Sequence, residues 1–374
     1  MPAVFTIAAF AILVLYLVLM ALFISGWLRI PRNTVSPPPD LPVTILVPCR
    51  NEESTLEGLS DALLNQDYPR ELMQIIWIDD HSSDGTPLLL ERICSFHPGL
   101  FFRTFTPQQE PGKKAALKAG MKLAKGDLIL LTDADSRPGP AWVRTMAARF
   151  AESRAGLLIG PVLLEPADTV LNQIQKLEFM SLTASSAGAA GAGLPFMAQG
   201  PNLAVKATLY RNLVEQLNPR FASGDDIFLL QAIKDIPGER ILAVADRDAV
   251  VTTSPASTLP AFLAQRRRWA SKAPGYSDPL LVTVTLAVFS VNAVIIAALI
   301  LAIIGQIPWW LLFTITGAKA VTDMALLAPY STYYKSRKPL IWFIPVQLAY
   351  PIYVLLTGIS ALIPGSVWKD RKIN

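Results

Sequence analysis

Charge is missing from long stretches of this chain, and that constrains the fold more than any motif does. No Asp, Glu, Lys or Arg occurs before Arg29, between Asp278 and Lys319, or between Lys338 and Lys369. Four apolar runs fall in or across these gaps: 4–24, 280–304, 309–327 and 341–363. A bilayer core about 30 Å thick takes roughly 20 helical residues, so each run reads as a membrane span. The first lacks a basic leading segment and is too long for a signal peptide. Gly305-Gln306-Ile307-Pro308 reads as a tight turn between two spans. Pro345 and Pro351 are tolerable inside the last run because neighbours in a bundle satisfy freed carbonyls. Overall charge is 17%, against about 25% in soluble domains.

Lys and Arg beside the spans give an orientation. Arg29 and Arg32 follow the first span, Arg266, Arg267, Arg268 and Lys272 precede the second, and Lys335, Arg337 and Lys338 follow the third. These place 29–274 and 331–338 in the cytoplasm. The basic tail from Lys369 conflicts, since four crossings put it outside. The expected organisation is 1–28 as an N-terminal membrane helix, 29–274 as a cytoplasmic domain, and 275–374 as a membrane region of about three helices. Lys319 and Asp323 lie four apart in the third span and share a helix face. They read either as a self-neutralised pair or as a lipid-headgroup contact.

The net charge of +4 is too small to point to nucleic acid. The two cysteines form no disulfide framework or zinc spacing. After the stiff Ser36-Pro37-Pro38-Pro39 linker, strand patterns at 43–47, 74–78, 100–105 and 128–131 alternate with helical ones. The helices are expected at 56–66, opened by a capping box at 54–57, and at 86–94 and 113–124. This predicts an α/β domain with a mostly parallel sheet, whose ligands bind at the carboxyl ends of the strands. The small-residue stretch 184–193 reads as a flexible loop or a close-packed helix face, the favoured reading being a mobile loop near an acceptor site.

Polar residues gather at those strand ends. The first strand runs into Pro48-Cys49-Arg50-Asn51-Glu52, the second ends in Asp79-Asp80, and the fourth in Asp133-Ala134-Asp135. Acids directly after apolar strands are costly unless they bind something. Carboxylates are hard ligands suited to Mg²⁺ or Mn²⁺ shared with substrate phosphates. Asp225-Asp226 opens a helical run, as caps or as a general base. Gln265-Arg266-Arg267-Arg268-Trp269 reads as a lipid-facing basic cluster or as a phosphate clamp with an apolar wall.

In this order the motifs resemble the family 2 glycosyltransferases, inverting nucleotide-sugar enzymes of GT-A fold. The last matches the Q-x-x-R-W motif of cellulose and hyaluronan synthases and ceramide glucosyltransferase. The resemblance covers about 43–270. It implies that Pro48, Asn51, Glu52, Asp79 and Asp80 line the nucleotide pocket and that Lys113 lies near the diphosphate. It also implies that Asp133 and Asp135 serve the metal, and that Asp226, with Asp225 where the family has Glu, is the base. Gln265, Arg268 and Trp269 would close over the diphosphate. Lys118 stands where the synthases often have Asn.

The expected activity is transfer of a sugar from a nucleotide-sugar donor, UDP-linked, to a lipid-linked or membrane-associated acceptor. The expected location is a bacterial inner membrane, with the catalytic domain in the cytoplasm. A processive polysaccharide synthase is the alternative. A catalytically inactive membrane scaffold and a transporter are the readings from other classes.

Overall fold

The computed structural model describes residues 2–32, 40–97, 101–102, 112–166, 168–215, 224–360, 366–368 and 371–373. The proline-rich linker, most of the expected third strand, and Lys369 and Asp370 of the tail lie outside the described residues. The chain divides into two compact units, interleaved along the sequence. One comprises Met1–Arg29, Pro166–Phe196 and Pro255–Ser366; the other comprises Ile30–Glu165, Met197–Ser254 and Val367–Asn374. The segment 29–274 therefore contributes to both.

The second unit is built on a seven-stranded sheet. Its strand order is Phe101–Phe102, Met73–Asp79, Val43–Cys49, Leu128–Leu131, Leu203–Lys206, Leu157–Ile159 and Ile241–Ala243. Neighbouring strands run parallel except around Leu203–Lys206, which is antiparallel to both its partners. The central strands are largely apolar because both faces are covered; Ile45, Leu46, Val47, Ile75 and Ile76 are fully buried. Ile45 pairs with Ile75, and Cys49 with Asp79, so two polar strand ends emerge side by side.

The helix Lys113–Met121 lies close on this sheet. A Cβ on its Gly120 would come within 2.7 Å of the Ile78 Cδ1, so a larger residue there would push that side chain aside. The helix Trp142–Ser153 buries Trp142 completely, and the indole Nε1 donates to Asn202 Oδ1 at 2.8 Å. Asn202 Nδ2 donates to the carbonyls of Pro161 and Ala249, which satisfies a fully buried amide. A second sheet sets Val251–Thr253 between Ser136–Pro138 (antiparallel) and Val162–Leu164 (parallel). The expected capping box does not form. The helix begins at Leu56, one residue later than a box opened by Ser54 requires, and Thr55 at its cap makes no side-chain cap bond; its hydroxyl donates instead to the carbonyl and carboxylate of Glu52.

Among the described residues the helical unit holds four helices long and apolar enough to cross a membrane: Ala3–Arg29, Pro279–Ile303, Trp309–Tyr333 and Lys338–Ser360. Their large apolar side chains are widely exposed, Val4, Ile7, Val321 and Leu348 each by more than two thirds, as lipid-facing residues should be. Gly305, at φ 73°, makes the turn between the second and third. The stretch expected as a mobile loop is helical, part of the helix Val170–Gly191, which Thr169 caps by accepting from Asn172 N. Its small residues serve close packing. A Cβ on Gly188 would strike the Phe23 carbonyl, and one on Gly26 the Gly188 carbonyl, so two helix backbones touch there. Lys319 and Asp323 form the self-neutralised pair, at 2.7 Å. Gln347 bonds to both, and the Tyr16 hydroxyl donates to Asp323, so three candidate spans share one buried polar cluster.

Candidate active site

Two polar clusters form at the carboxyl ends of the parallel strands. In the first, backbone geometry does much of the positioning. Asn51 and His81 both take left-handed conformations, φ 50° and 56°, at adjacent strand ends. Asn51 N donates to Ser82 Oγ and its Oδ1 accepts from Ser83 N, each at 2.9 Å. Arg50 Nη1 donates to the carbonyls of Asp80 and His81 at 2.8 Å. Glu52 N donates to Thr86 Oγ1. Asp79 and Asp80 are buried. Asp79 accepts from Ser82 N, while Asp80 Oδ1 lies 3.1 Å from the His81 ring and accepts from Gly112 N at 2.9 Å. Pro48 sits half-buried at the end of the same strand.

That last bond joins the clusters, because Gly112 precedes Lys113. Lys113 Nζ lies 2.6 Å from Asp133 Oδ1 and 3.3 Å from Asp225 Oδ2. Burial works against the ammonium, but Asp133, Asp225 and Asp226 outweigh it and hold the group well above the usual lysine range. Asp226 opens the helix Asp225–Lys234; its Oδ1 accepts from its neighbour Ile227 N at 2.9 Å, and its Oδ2 from Gly200 N at 3.2 Å. A Cβ on Gly200 would stand 3.4–3.8 Å from Lys113 Nζ, Asp226 Oδ2 and Asp133 Oδ2, so all three surround one backbone point. Asp135 is half-buried, two residues past Asp133. Among the described residues, no three acidic, histidine or cysteine side chains are gathered closely enough to hold a metal unaided.

Sequence reasoning did not find Gly200 or Tyr210. Tyr210 is fully buried, and its hydroxyl has no hydrogen-bond partner among the described residues. Burial pushes its phenol well up, Asp225 adds to this, and Lys113 opposes it. No local pattern marks either residue, since each reaches the site through the fold.

Gln265, Arg268 and Trp269 lie on the helix Leu259–Ala270, in the helical unit. Arg266, read from the sequence as one charge of a lipid-facing cluster or phosphate clamp, is instead buried in an ion pair. Its Nε and Nη2 meet Glu178 Oε1 and Oε2 at 2.8 and 2.5 Å. The guanidinium lies 4.2 Å from the Trp269 ring centroid and 4.6 Å from that of Phe262, and it bonds to Gln265.

Comparison with known proteins agrees with this architecture. Residues 44–209 match "Glycosyl transferase family 2", and residues 128–357 match "Glycosyl transferase family group 2". The chain is 31% identical over 114 residues to a beta-monoglucosyldiacylglycerol synthase of Trichormus variabilis, covering 30% of this chain and 24% of that one. It is 25% identical over 315 residues to an N-acetylglucosaminyltransferase of Rhizobium leguminosarum bv. viciae, covering 76% and 72%. The chain spans 24–33% of the length of the first curated relatives it matches. A mannosyltransferase from Pyrobaculum calidifontis, solved with GDP-Man and Mn²⁺, superposes over 93% of this chain and 99% of that one, at 23% identity and a TM-score of 0.62. That likeness is one of fold, mixed α/β of GT-A type. With a family match that runs from the fourth strand into the last candidate span, over more than half of the chain, the chain belongs to glycosyl transferase family group 2.

Proposed function

We propose that the protein is a membrane-bound, inverting glycosyltransferase. It moves a sugar from a UDP-linked nucleotide donor to a lipid-linked or membrane-associated acceptor. One observation carries this: Lys113 draws Asp133, Asp225 and Asp226 to one place beside the carboxyl ends of the sheet's parallel strands. Asp79, Asp80, Asn51, Glu52 and Pro48 form the neighbouring wall, suited to a nucleoside.

Asp226 takes the proton. The acceptor oxygen attacks the anomeric carbon from the face opposite the leaving group. The bond from that carbon to the diphosphate breaks, and the acceptor proton passes to the Asp226 carboxylate. Two backbone N–H groups orient this carboxylate. Asp225 is the less suitable base because Lys113 already occupies one of its oxygens. No second carboxylate is needed, since the diphosphate leaves readily.

Asp133 and Asp135 would hold Mg²⁺ or Mn²⁺. Both are hard oxygen donors, and with too few protein ligands nearby for a closed site they fit an ion that also takes diphosphate oxygens. Such an ion offsets charge building on the leaving diphosphate. Lys113 adds a fixed cation, and the resemblance of Gln265, Arg268 and Trp269 to the Q-x-x-R-W motif supports a part for them in holding the donor.

The four candidate spans among the described residues make a small bundle for a polymer channel, which favours single transfer over processive synthesis. The lipid-glycosylating relative supports a lipid acceptor. The Lys and Arg bias at the span ends supports a cytoplasm-facing site in a bacterial inner membrane. The test is a donor panel offered to purified full-length protein in nanodiscs with lipid extracts, reading released nucleoside diphosphate with and without Mn²⁺ or Mg²⁺. Metal-dependent release with one donor and a labelled lipid product is expected. No release with any donor would sink the enzymatic reading, and a labelled polymer would replace single transfer with processive synthesis.

A further inference from the structure

We propose that Glu178 is a positioning residue for the 265–269 motif. It acts through Arg266 and ties the motif's orientation to the fourth candidate membrane helix. This rests on the reading that Gln265 and Trp269 close over the donor.

The arrangement begins with a carboxylate that has little access to water. Glu178 is 7% exposed and Arg266 5%. Two parallel N–H···O bonds, from Nε and Nη2, join them. A bidentate fork fixes the rotation of the guanidinium plane as well as its position, which a single point charge would not do. That plane is then used. The Trp269 ring lies against it at 4.2 Å and the Phe262 ring at 4.6 Å, both within cation–π range. The remaining terminal nitrogen, Nη1, donates to Gln265 Oε1. Two of the three motif residues assigned to donor closure are thus held by one guanidinium, and Glu178 sets how it faces.

The carboxylate has a further partner. Tyr353 donates its hydroxyl to Glu178 Oε1 at 3.1 Å, and its ring stacks on Phe262 with centroids 5.9 Å apart and planes 16° from parallel. Tyr353 lies on the helix Phe343–Ser360, in the fourth candidate span. A shift of that helix in the bilayer would reach Trp269 through Glu178 and Phe262. A pair that only held two helices together could be exchanged for apolar side chains at little cost. It would also have no use for the motif's own tryptophan and glutamine.

The test compares wild type, Glu178→Gln, Arg266→Lys, Gln265→Ala, Trp269→Ala and the double variant Glu178→Gln/Trp269→Ala, all full-length in nanodiscs. Turnover is expressed per folded protein, with the folded fraction taken from size-exclusion and thermal unfolding. Glu178→Gln is expected to lower kcat by about tenfold or more, and the double variant should fall within about twofold of the worse single, because both changes act through one group. Arg266→Lys keeps the charge but loses the fork. It should resemble Glu178→Gln, and it stands in if that variant does not fold. A lowered Tm with kcat and KM of the folded fraction unchanged would overturn the proposal, and so would losses that multiply in the double variant. If Gln265→Ala and Trp269→Ala both leave turnover intact, the donor-closure reading fails and takes the proposal with it. If they impair turnover while Glu178→Gln and Arg266→Lys do not, the proposal alone fails.

Discussion

Replacing Lys113 with Met removes the only charge on a side chain of similar length, and leaves Asp133, Asp225 and Asp226 facing one another without their shared cation. The gross attraction is large. At 3.3 Å and an effective dielectric near 20, one pair is worth about 5 kcal/mol. Most of that offsets desolvation of the ammonium. Water also reaches Asp133, whose side chain is 32% exposed, whereas that of Asp225 is 11% exposed. The net loss should fall between the ~1 kcal/mol of an exposed pair and the ~3–5 kcal/mol of a broken buried one. About 2–3 kcal/mol is a reasonable value, and at ~2–4 °C per kcal/mol for a unit of this size it lowers Tm by roughly 5–10 °C.

The pH dependence follows from the direction of the shift. Folding raises the Lys113 pKa, so its contribution is complete below the ordinary lysine value of 10.5 and is lost only as pH rises through the folded-state value. The Tm deficit of Lys113→Met should therefore be flat from about pH 7 to pH 9.5 and shrink above that range. Thermal unfolding of full-length protein in detergent, scanned over pH, measures it. A deficit under 1 °C by this measure, or one that first appears in alkali, would refute the claim that the ammonium bridges these carboxylates.

Other perturbations have distinct signatures. Asp226→Asn should cut turnover by about 10²–10⁴-fold with nucleotide binding retained, as for loss of a general base. Asp225→Asn should chiefly weaken the Lys113 bridge and lower Tm, so the two variants separate in kinetics against melting. Gly188→Leu forces the Phe23 backbone away and should destabilise the helical unit by ~1–3 kcal/mol, seen as lower recovery of monodisperse protein in detergent. Lys319→Leu alone leaves Asp323 without its cation in an apolar bundle and should be more damaging to Tm than the double change Lys319→Leu/Asp323→Leu, which removes both charges.

Strand ends were legible in the sequence because their chemistry is local. An apolar run followed by Asp79-Asp80 or Asp133-Ala134-Asp135 declares the strand and the point where it ends. Spans were legible for the same reason, as length and missing charge suffice. Residues 170–191 were not, because Gln, Ser, Ala and Gly carry little apolar periodicity, and the glycines that suggest a loop are there for close contact with a partner helix. The capping box failed because the helix starts at Leu56, one residue too late for Ser54 to be its cap, and Thr55 donates to Glu52 instead of capping. Glu178 and Arg266 are 88 residues apart, and nothing near either one announces the pair. The antiparallel direction of the strand Leu203–Lys206 likewise follows from the sheet's overall pairing, which a βα alternation alone does not determine, although the strand itself is readable after the turn at Gly200.

The Gly26–Gly188 contact also has a consequence for synthesis. Its halves lie about 160 residues apart, and at about 5–20 residues per second the second half arrives roughly ten to thirty seconds after the first. Throughout that interval the notch at Gly26 is already formed and faces lipid or the insertion machinery. The first helix must therefore be stable in the membrane as a lone segment, and its even, all-round hydrophobicity meets that need. Its true neighbour joins late, so assembly of the membrane region waits on translation of nearly half the protein.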